Sequence, residues 1–241
     1  MDEMIEEIRE ARRITVFTGA GMSVESGIAP FRGKDGLWNE FDPQDVASAS
    51  AFAEEPERCW ELFKLQIEEC FDSEPHQGHY SLVELEDHGL NSVITQNIDG
   101  LHQKAGSDHV LELHGSLDRL VCQSCQSNFK TESFLDEIKE GGIPRCECGE
   151  VLKPDVVLFE ETLPHNVLEQ AWKEVEDCDL LLSLGTSAVV QPAASIPAAA
   201  KRSGAKVIEI NLERTPLTDD ISNHFLKEKV GEKLPELIDP L

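Results

Sequence analysis

Four of the seven cysteines stand in two close pairs, Cys122-x-x-Cys125 and Cys146-x-Cys148, with 20 residues between the pairs. Thiolates grouped in this way suit a tetrahedral Zn²⁺. A full set of four sulfurs leaves no open coordination position, so such a metal is structural rather than catalytic. The second pair is one residue tighter than usual, and Gly149 directly after it permits the sharp turn that this requires. An odd cysteine count in a chain with no leader-like N-terminus argues against a disulfide framework.

A second constellation begins at Gly19-Ala20-Gly21-Met22-Ser23 and runs on to Gly27. It follows an apolar, β-branched stretch that reads as a strand, Ile14 to Thr18. A tight glycine turn lets backbone N–H groups approach a ligand, and a helix starting there would offer its N-terminus to a pyrophosphate. The glycines do not follow the full dinucleotide spacing, so this turn alone is also compatible with an ordinary α/β connection. Three further polar sets stand at strand ends: Gln96-Asn97-Ile98-Asp99, Gly185-Thr186-Ser187 and Asn211-Leu212-Glu213. Four such sets on one sheet edge point to a nucleotide, with Glu213 able to accept from a ribose hydroxyl. His114, followed by Gly115-Ser116 just after a strand, could face the same crevice, although a lone histidine is more often structural. The other seven histidines have no comparable context. Phe31, Arg32 and Trp38 lie in a breaker-rich loop of the kind that folds over a core edge or a ligand.

The elements that must carry these groups alternate. Strands are expected at 14–18, 91–95, 110–113, 156–159, 179–184 and 206–210, with helices at 2–12, 76–86, 164–175, 192–203, near 216–225 and at 231–238. Residues 44–71 read as two helices, the second starting near Pro56. This order implies an α/β fold with a doubly wound, parallel, Rossmann-like sheet. The parallel part is expected to comprise 1–36, 76–118 and 152–241, with a helical insertion at 37–75 and a cysteine module at 119–151.

The chain has 241 residues, 47 of them acidic and 21 basic, for a net charge of −26. Such a surface repels nucleic acid. The acids are spread along the whole chain, which favours a general adaptation to a cytosol of high salt over a dedicated docking patch. No apolar run approaches the roughly 20 residues that span a bilayer, and the acidic N-terminus lacks the order of a signal peptide. A cytoplasmic protein without a membrane partner is expected.

Taken in order, these blocks resemble the sirtuins, NAD-dependent protein-lysine deacylases. The resemblance covers almost the whole chain: Gly19 to Ile28 with Phe31-Arg32, Thr95 to His102, Leu113-His114-Gly115, the two cysteine pairs, Pro154 to Phe159, Gly185-Thr186-Ser187 with Val189 to Pro192, and Ile210 to Glu213. It implies NAD as co-substrate, one structural Zn²⁺ on Cys122, Cys125, Cys146 and Cys148, and acetyl-lysine proteins as substrates of a monomeric enzyme. Gly19, Ala20, Gly21, Ser23, Gly27, Phe31 and Arg32 would form the cofactor loop, with Phe31 beside the nicotinamide. Gln96, Asn97, Ile98 and Asp99 would surround the nicotinamide ribose and carboxamide. Gly185, Thr186, Ser187, Asn211, Leu212, Glu213 and Val230 would hold the adenosine side. Val157 and Phe159 would wall the acyl-lysine tunnel, where the peptide adds as a strand. His114 would be the general base for a ribose hydroxyl, with Asn97 in the catalytic group.

Two departures stand out. Glu160 occupies the place of the usual glycine in Phe-Gly-Glu, and the second cysteine pair is short. Relatives that prefer acidic acyl chains carry a Tyr and an Arg three residues apart, where this chain has Phe63 and Gln66. Competing readings are an NAD-dependent mono-ADP-ribosyltransferase, a zinc-containing NAD-binding regulatory protein, and, more weakly, a dehydrogenase.

Overall fold

A computed structural model describes residues 1–34 and 36–241. Six strands form one parallel sheet: β1 (Ile14–Thr18), β2 (Leu90–Thr95) and β3 (Val110–Glu112), then, after a smaller antiparallel sheet, β7 (Leu180–Leu184), β8 (Lys206–Ile210) and β9 (His224–Leu226). The smaller sheet holds β4 (Gly115–Val121), β5 (Asn128–Lys130) and β6 (Lys153–Val156) in the order β5-β4-β6. Its two pairings are both antiparallel.

The parallel strands lie in the order β3-β2-β1-β7-β8-β9. Counted among themselves, these are strands 3-2-1-4-5-6, the doubly wound arrangement whose direction of winding reverses between β1 and β7. Every residue of β1 and β7 is buried, as expected for strands covered on both faces. Successive side chains then serve opposite layers. Val16, Leu182 and Ile208 pack under the helices Asp2–Glu10, Gln77–Glu86 and Val230–Ile238, meeting Ile8, Leu82, Leu85 and Leu234. Their neighbours Phe17, Leu181 and Val207 pack against His165–Glu176 and Ile196–Arg202 through Ala171, Val175, Ile196 and Ala200.

A third core joins the helical segment to the cysteine-bearing sheet. Trp60, Phe63 and Ile67 of the helix Pro56–Asp72 meet Leu117, Leu120, Leu152 and Val156, and Trp60 Nε1 donates to Leu152 O at 2.9 Å. Among the described residues no helix is long and apolar enough to cross a membrane.

Several expected elements differ. Residues 44–71 form three helices, Pro43–Val46, Ala49–Glu54 and Pro56–Asp72, because Ser48 and Glu55 interrupt them as caps. The helix expected near 216–225 is absent; turns lead there into the edge strand β9. The extended stretch expected at 156–159 begins earlier, at Lys153. After the first glycine turn the chain makes two 3₁₀ turns, Ala20–Met22 and Val24–Ser26, rather than an α-helix. An N-terminal helix dipole is therefore not available at that point.

Candidate active site

The crevice opens beyond the carboxyl ends of β1 and β7, where the winding reverses. Here the two glycine turns lock together: Gly19 N–H donates to Leu184 O at 3.2 Å and Gly21 N–H to Gly185 O at 2.7 Å. A Cβ on Gly19 would lie 2.9 Å from Thr186 Cβ, so the side chain is excluded by the neighbouring strand end itself. Thr186 is the hub of the crevice. Its Oγ1 accepts from Gln96 Nε2 at 2.9 Å, and its carbonyl accepts from Asn211 Nδ2 at 3.1 Å. All four polar strand ends thus meet around one residue.

Beside it runs a buried polar chain. Asn97 Nδ2 donates to Gly19 O and to Ser23 Oγ, both at 3.1 Å, and Ser23 Oγ donates to Asp99 Oδ2 at 2.7 Å. Asp99 Oδ1 accepts Leu101 N–H at 2.9 Å, which orients the carboxylate. Burial raises the Asp99 pKa above the ordinary aspartate value, while the bonds from Leu101 and Ser23 oppose that shift. Ala20, Ser23, Phe31, Asn97, Ile98 and Asp99 line one cavity, which places two of the polar strand ends and the aromatic loop together. Gln66, Glu69 and Cys70 line it too, from the helix Pro56–Asp72. Sequence reading did not single out Glu69 or Cys70; their spacing from Gln66 on one helix face was the available signal.

His114 stands at the turn between β3 and β4. Its Nδ1 lies 2.9 Å from Gln96 O, and its own carbonyl accepts Val157 N–H at 2.9 Å. A carbonyl can only accept, so Nδ1 carries the proton and Nε2 keeps its lone pair. Burial lowers the His114 pKa below 6.5, with the Gln96 bond acting in the other direction. The neutral ring, fixed at one nitrogen and basic at the other, is suited to accept a proton.

The aromatic loop closes over this region. Phe31 and Trp38 have ring centroids 5.3 Å apart, and Trp38 lies 6.2 Å from Phe159. Other expected residues sit farther out. Arg32, Ser187, Leu212 and Glu213 are exposed, and Gly27 ends the second 3₁₀ turn with φ +94°. Val230 is buried in the core beneath the sheet, and next to it Gly231 N–H donates to Glu25 Oε2 at 2.8 Å.

The four cysteines converge although the second pair is short. Their sulfurs all lie within 4.8 Å of one another, with Cys122–Cys148 and Cys125–Cys146 each at 3.5 Å. These separations exceed a disulfide bond of about 2.05 Å and approach the spacing set by Zn–S bonds of about 2.3 Å in a tetrahedron. Each pair is followed by a left-handed residue, Gln126 at φ 61° and Gly149 at φ 97°, whose N–H turns back to Cys122 O and Cys146 O. Two similar knuckles therefore face each other, and the donor set fits one Zn²⁺.

A doubly wound sheet with polar groups gathered at its switch point, carrying a separate four-thiolate module, defines a dinucleotide-fold protein with a structural metal centre. More specifically, the chain belongs to the Sir2 family, whose description matches residues 19–192. It is similar to the NAD-dependent protein deacylase 1 of Archaeoglobus fulgidus, 46% identical over 241 residues, covering 99% of this chain and 97% of that protein. The NAD-dependent protein deacylase of Pyrococcus abyssi is 43% identical, with 98% and 96% covered. Among solved structures, a Sir2 homologue in complex with NAD is 44% identical with a TM-score of 0.92, covering 100% of this chain and 93% of that one. A Sir2 protein with a deacetylated p53 peptide and 3′-O-acetyl-ADP-ribose is 34% identical with a TM-score of 0.93, covering 100% and 98%.

Proposed function

We propose that this chain is an NAD-dependent protein-lysine deacetylase, converting an acetyl-lysine protein, NAD and water into the free lysine, nicotinamide and O-acetyl-ADP-ribose. The observation that carries this reading is His114, held through Nδ1 by Gln96 O with Nε2 free, at the crevice where the four polar strand ends meet. Relatives named as NAD-dependent deacylases over nearly the full length support it.

The residues present fit NAD: a crevice at the switch point, backbone kept bare at Gly19 and Gly21, and a buried amide–hydroxyl–carboxylate chain. Bound there, NAD supplies an electrophilic ribose carbon with nicotinamide as leaving group, so no protein nucleophile is required. Gly19, Ala20, Gly21, Ser23, Gly27, Phe31 and Arg32 form the cofactor loop. Gln96, Asn97, Ile98 and Asp99 hold the nicotinamide end through the Asn97–Ser23–Asp99 chain. Gly185, Thr186, Ser187, Asn211, Leu212 and Glu213 serve the adenosine end, while Val230, also expected there, packs its side chain into the core beneath the sheet. His114 accepts a ribose-hydroxyl proton at Nε2. Val157 and Phe159 wall the acyl-lysine tunnel. Cys122, Cys125, Cys146 and Cys148 hold Zn²⁺ as a structural brace, since four thiolates fill its coordination.

In this reading 1–36, 76–118 and 152–241 form the NAD-binding part, 37–75 the helical insertion and 119–151 the zinc module, whose small sheet reaches past those bounds to Gly115 in β4 and to Val156 in β6. The protein works as a cytoplasmic monomer in a high-salt cytosol and binds no nucleic acid. The test is incubation with NAD and an acetyl-lysine peptide, followed by chromatography. Nicotinamide and O-acetyl-ADP-ribose in equal amounts are expected. ADP-ribose attached to protein, with the peptide still acetylated, would overturn the proposal.

A further inference from the structure

Residue 160 has left-handed backbone, φ +73°, yet it is a glutamate. Side chains are strained in that region, which glycine occupies freely. The glutamate makes two bonds that a glycine cannot. Ser50 N–H donates to Glu160 Oε2 at 3.0 Å, and Ser50 Oγ donates to Oε1 at 3.2 Å. Ser50 lies in the helix Ala49–Glu54, 110 residues away in sequence. At the same joint Phe159 N–H donates to Ala47 O at 2.9 Å, and Ala49 N–H to Phe159 O at 3.0 Å. The other side of the segment is tied back to its own strand. Lys153, 5% exposed, lies 3.1 Å from Glu161 Oε2, and that oxygen accepts Leu158 N–H at 2.8 Å.

We propose that Glu160 is a positioning residue for the acyl-peptide: its carboxylate straps the cleft wall Val157–Phe159 to the helical segment, so the wall stands formed before peptide arrives. This rests on the deacetylase reading above. A peptide that adds as a strand to a loose wall must order it on binding, and a pre-ordered wall removes that cost. The bonds of Glu160 offset the left-handed strain at its own α-carbon, so strap and backbone shape depend on each other. The Glu160 carboxylate bonds Ser50 and not His114, which meets the wall through its own backbone carbonyl and Val157 N–H, a bond that does not involve residue 160, so the strap acts chiefly on peptide binding.

The experiment compares wild type, Glu160→Gly and Glu160→Gln for peptide KM, kcat, NAD KM and hydrogen exchange at the Ser50 amide. Glycine suits the φ of this position, so the first variant folds. Loss of charge-assisted bonds should raise its peptide KM about tenfold. Its kcat and NAD KM should stay within about twofold, and the Ser50 amide should exchange about tenfold faster. Glu160→Gln keeps an amide oxygen that can accept from Ser50 and should recover part of both losses. A wild-type peptide KM in Glu160→Gly, or a loss confined to kcat or NAD KM, overturns the proposal. Unchanged Ser50 exchange overturns the strap itself. That measurement needs no turnover, so it is distinct from a wild type that fails to deacetylate, which would overturn the functional reading instead.

Discussion

Gly21 and Gly185 lie against each other where the sheet reverses its winding: Gly21 N–H donates to Gly185 O at 2.7 Å, and a Cβ on Gly185 would stand 2.9 Å from Gly21 Cα and nearer still to Met22 N. The two turns that shape the crevice are thus one packed unit, and Gly185 has φ +57° besides. Gly185→Ala should cost about 3 kcal/mol or more, through backbone clash added to left-handed strain. Gly204→Ala is the comparison: φ is +103° there, but nothing lies within 4 Å of the added carbon. Its cost should stay near the strain alone, about 1–2 kcal/mol. Denaturant midpoints of the two variants measure the difference, and equal losses would show that the contact between the turns is not tight.

The zinc site predicts a structural dependence. With one Zn²⁺ on four thiolates, Cys125→Ala leaves an incomplete set, and strong chelation of the wild type should have the same effect. The cysteine sheet shares its core with Trp60, Phe63 and Ile67, so its loss should loosen the helical segment and reduce activity indirectly. Metal analysis should find one zinc per chain. Zinc-free wild type with full activity would refute the assignment.

The parts that were legible in the sequence are those where one local pattern has one physical solution. β1 and β7 could be found because strands buried on both faces read as unbroken apolar runs. The cysteine knuckles were legible from spacing, and Gly149 from the turn that it permits. β9 has three half-buried residues at a sheet edge, too short for a periodic signal. β4 carries Asp118 and Arg119 in its middle, and Arg119 is drawn out of the apolar pattern by Glu112 and Asp155. That Gln96, Thr186 and Asn211 share one sheet edge was legible from their places at strand ends, but the bonds that make Thr186 their hub, and the bond from Ser50 to Glu160, are long-range, so no local window contains them.

A net charge of −26 predicts salt-dependent stability. Self-repulsion among dispersed carboxylates weakens the compact state at low ionic strength, and salt at 1 M shortens the screening length to about 3 Å. A gain of about 2 kcal/mol between dilute buffer and molar salt would raise Tm by roughly 4–8 °C in a chain of this size. A flat or falling Tm across that range would remove the high-salt reading.

Positions 63 and 66 predict neutral acyl groups over succinyl. Phe63 and Gln66 stand where acid-preferring relatives would carry Tyr and Arg, and both are buried on the helix Pro56–Asp72. A succinyl carboxylate would be desolvated without the cation that those relatives place there. Acetyl-lysine peptide should therefore turn over at least about tenfold faster than succinyl-lysine peptide, since such a penalty exceeds about 1.4 kcal/mol. Comparable kcat/KM values for the two would contradict this.

Proton transfer at His114 supplies the last prediction. Burial lowers its pKa, so the ring is neutral and basic at neutral pH, with Nδ1 committed to Gln96 O. The base form is lost only when pH falls through that lowered value. Deacetylation should therefore be level at neutral pH and decline on an acid limb lying below about 6.5. The same depressed pKa has a stability consequence of matching sign. The unfolded chain takes up a proton near 6.5 before the folded one does, so this contribution to stability is present above that pH and is lost as pH falls towards the folded value. His114→Ala removes the proton acceptor while leaving Gly19, Asn97, Thr186 and their bonds in place. It should lower deacetylation about a hundred- to ten-thousand-fold with NAD affinity and Tm little changed. Nicotinamide exchange should suffer less, because nicotinamide leaves before the step that His114 assists. Rate, NAD affinity and Tm measured side by side decide the matter, and near-wild-type turnover in folded His114→Ala would take this histidine out of the reaction.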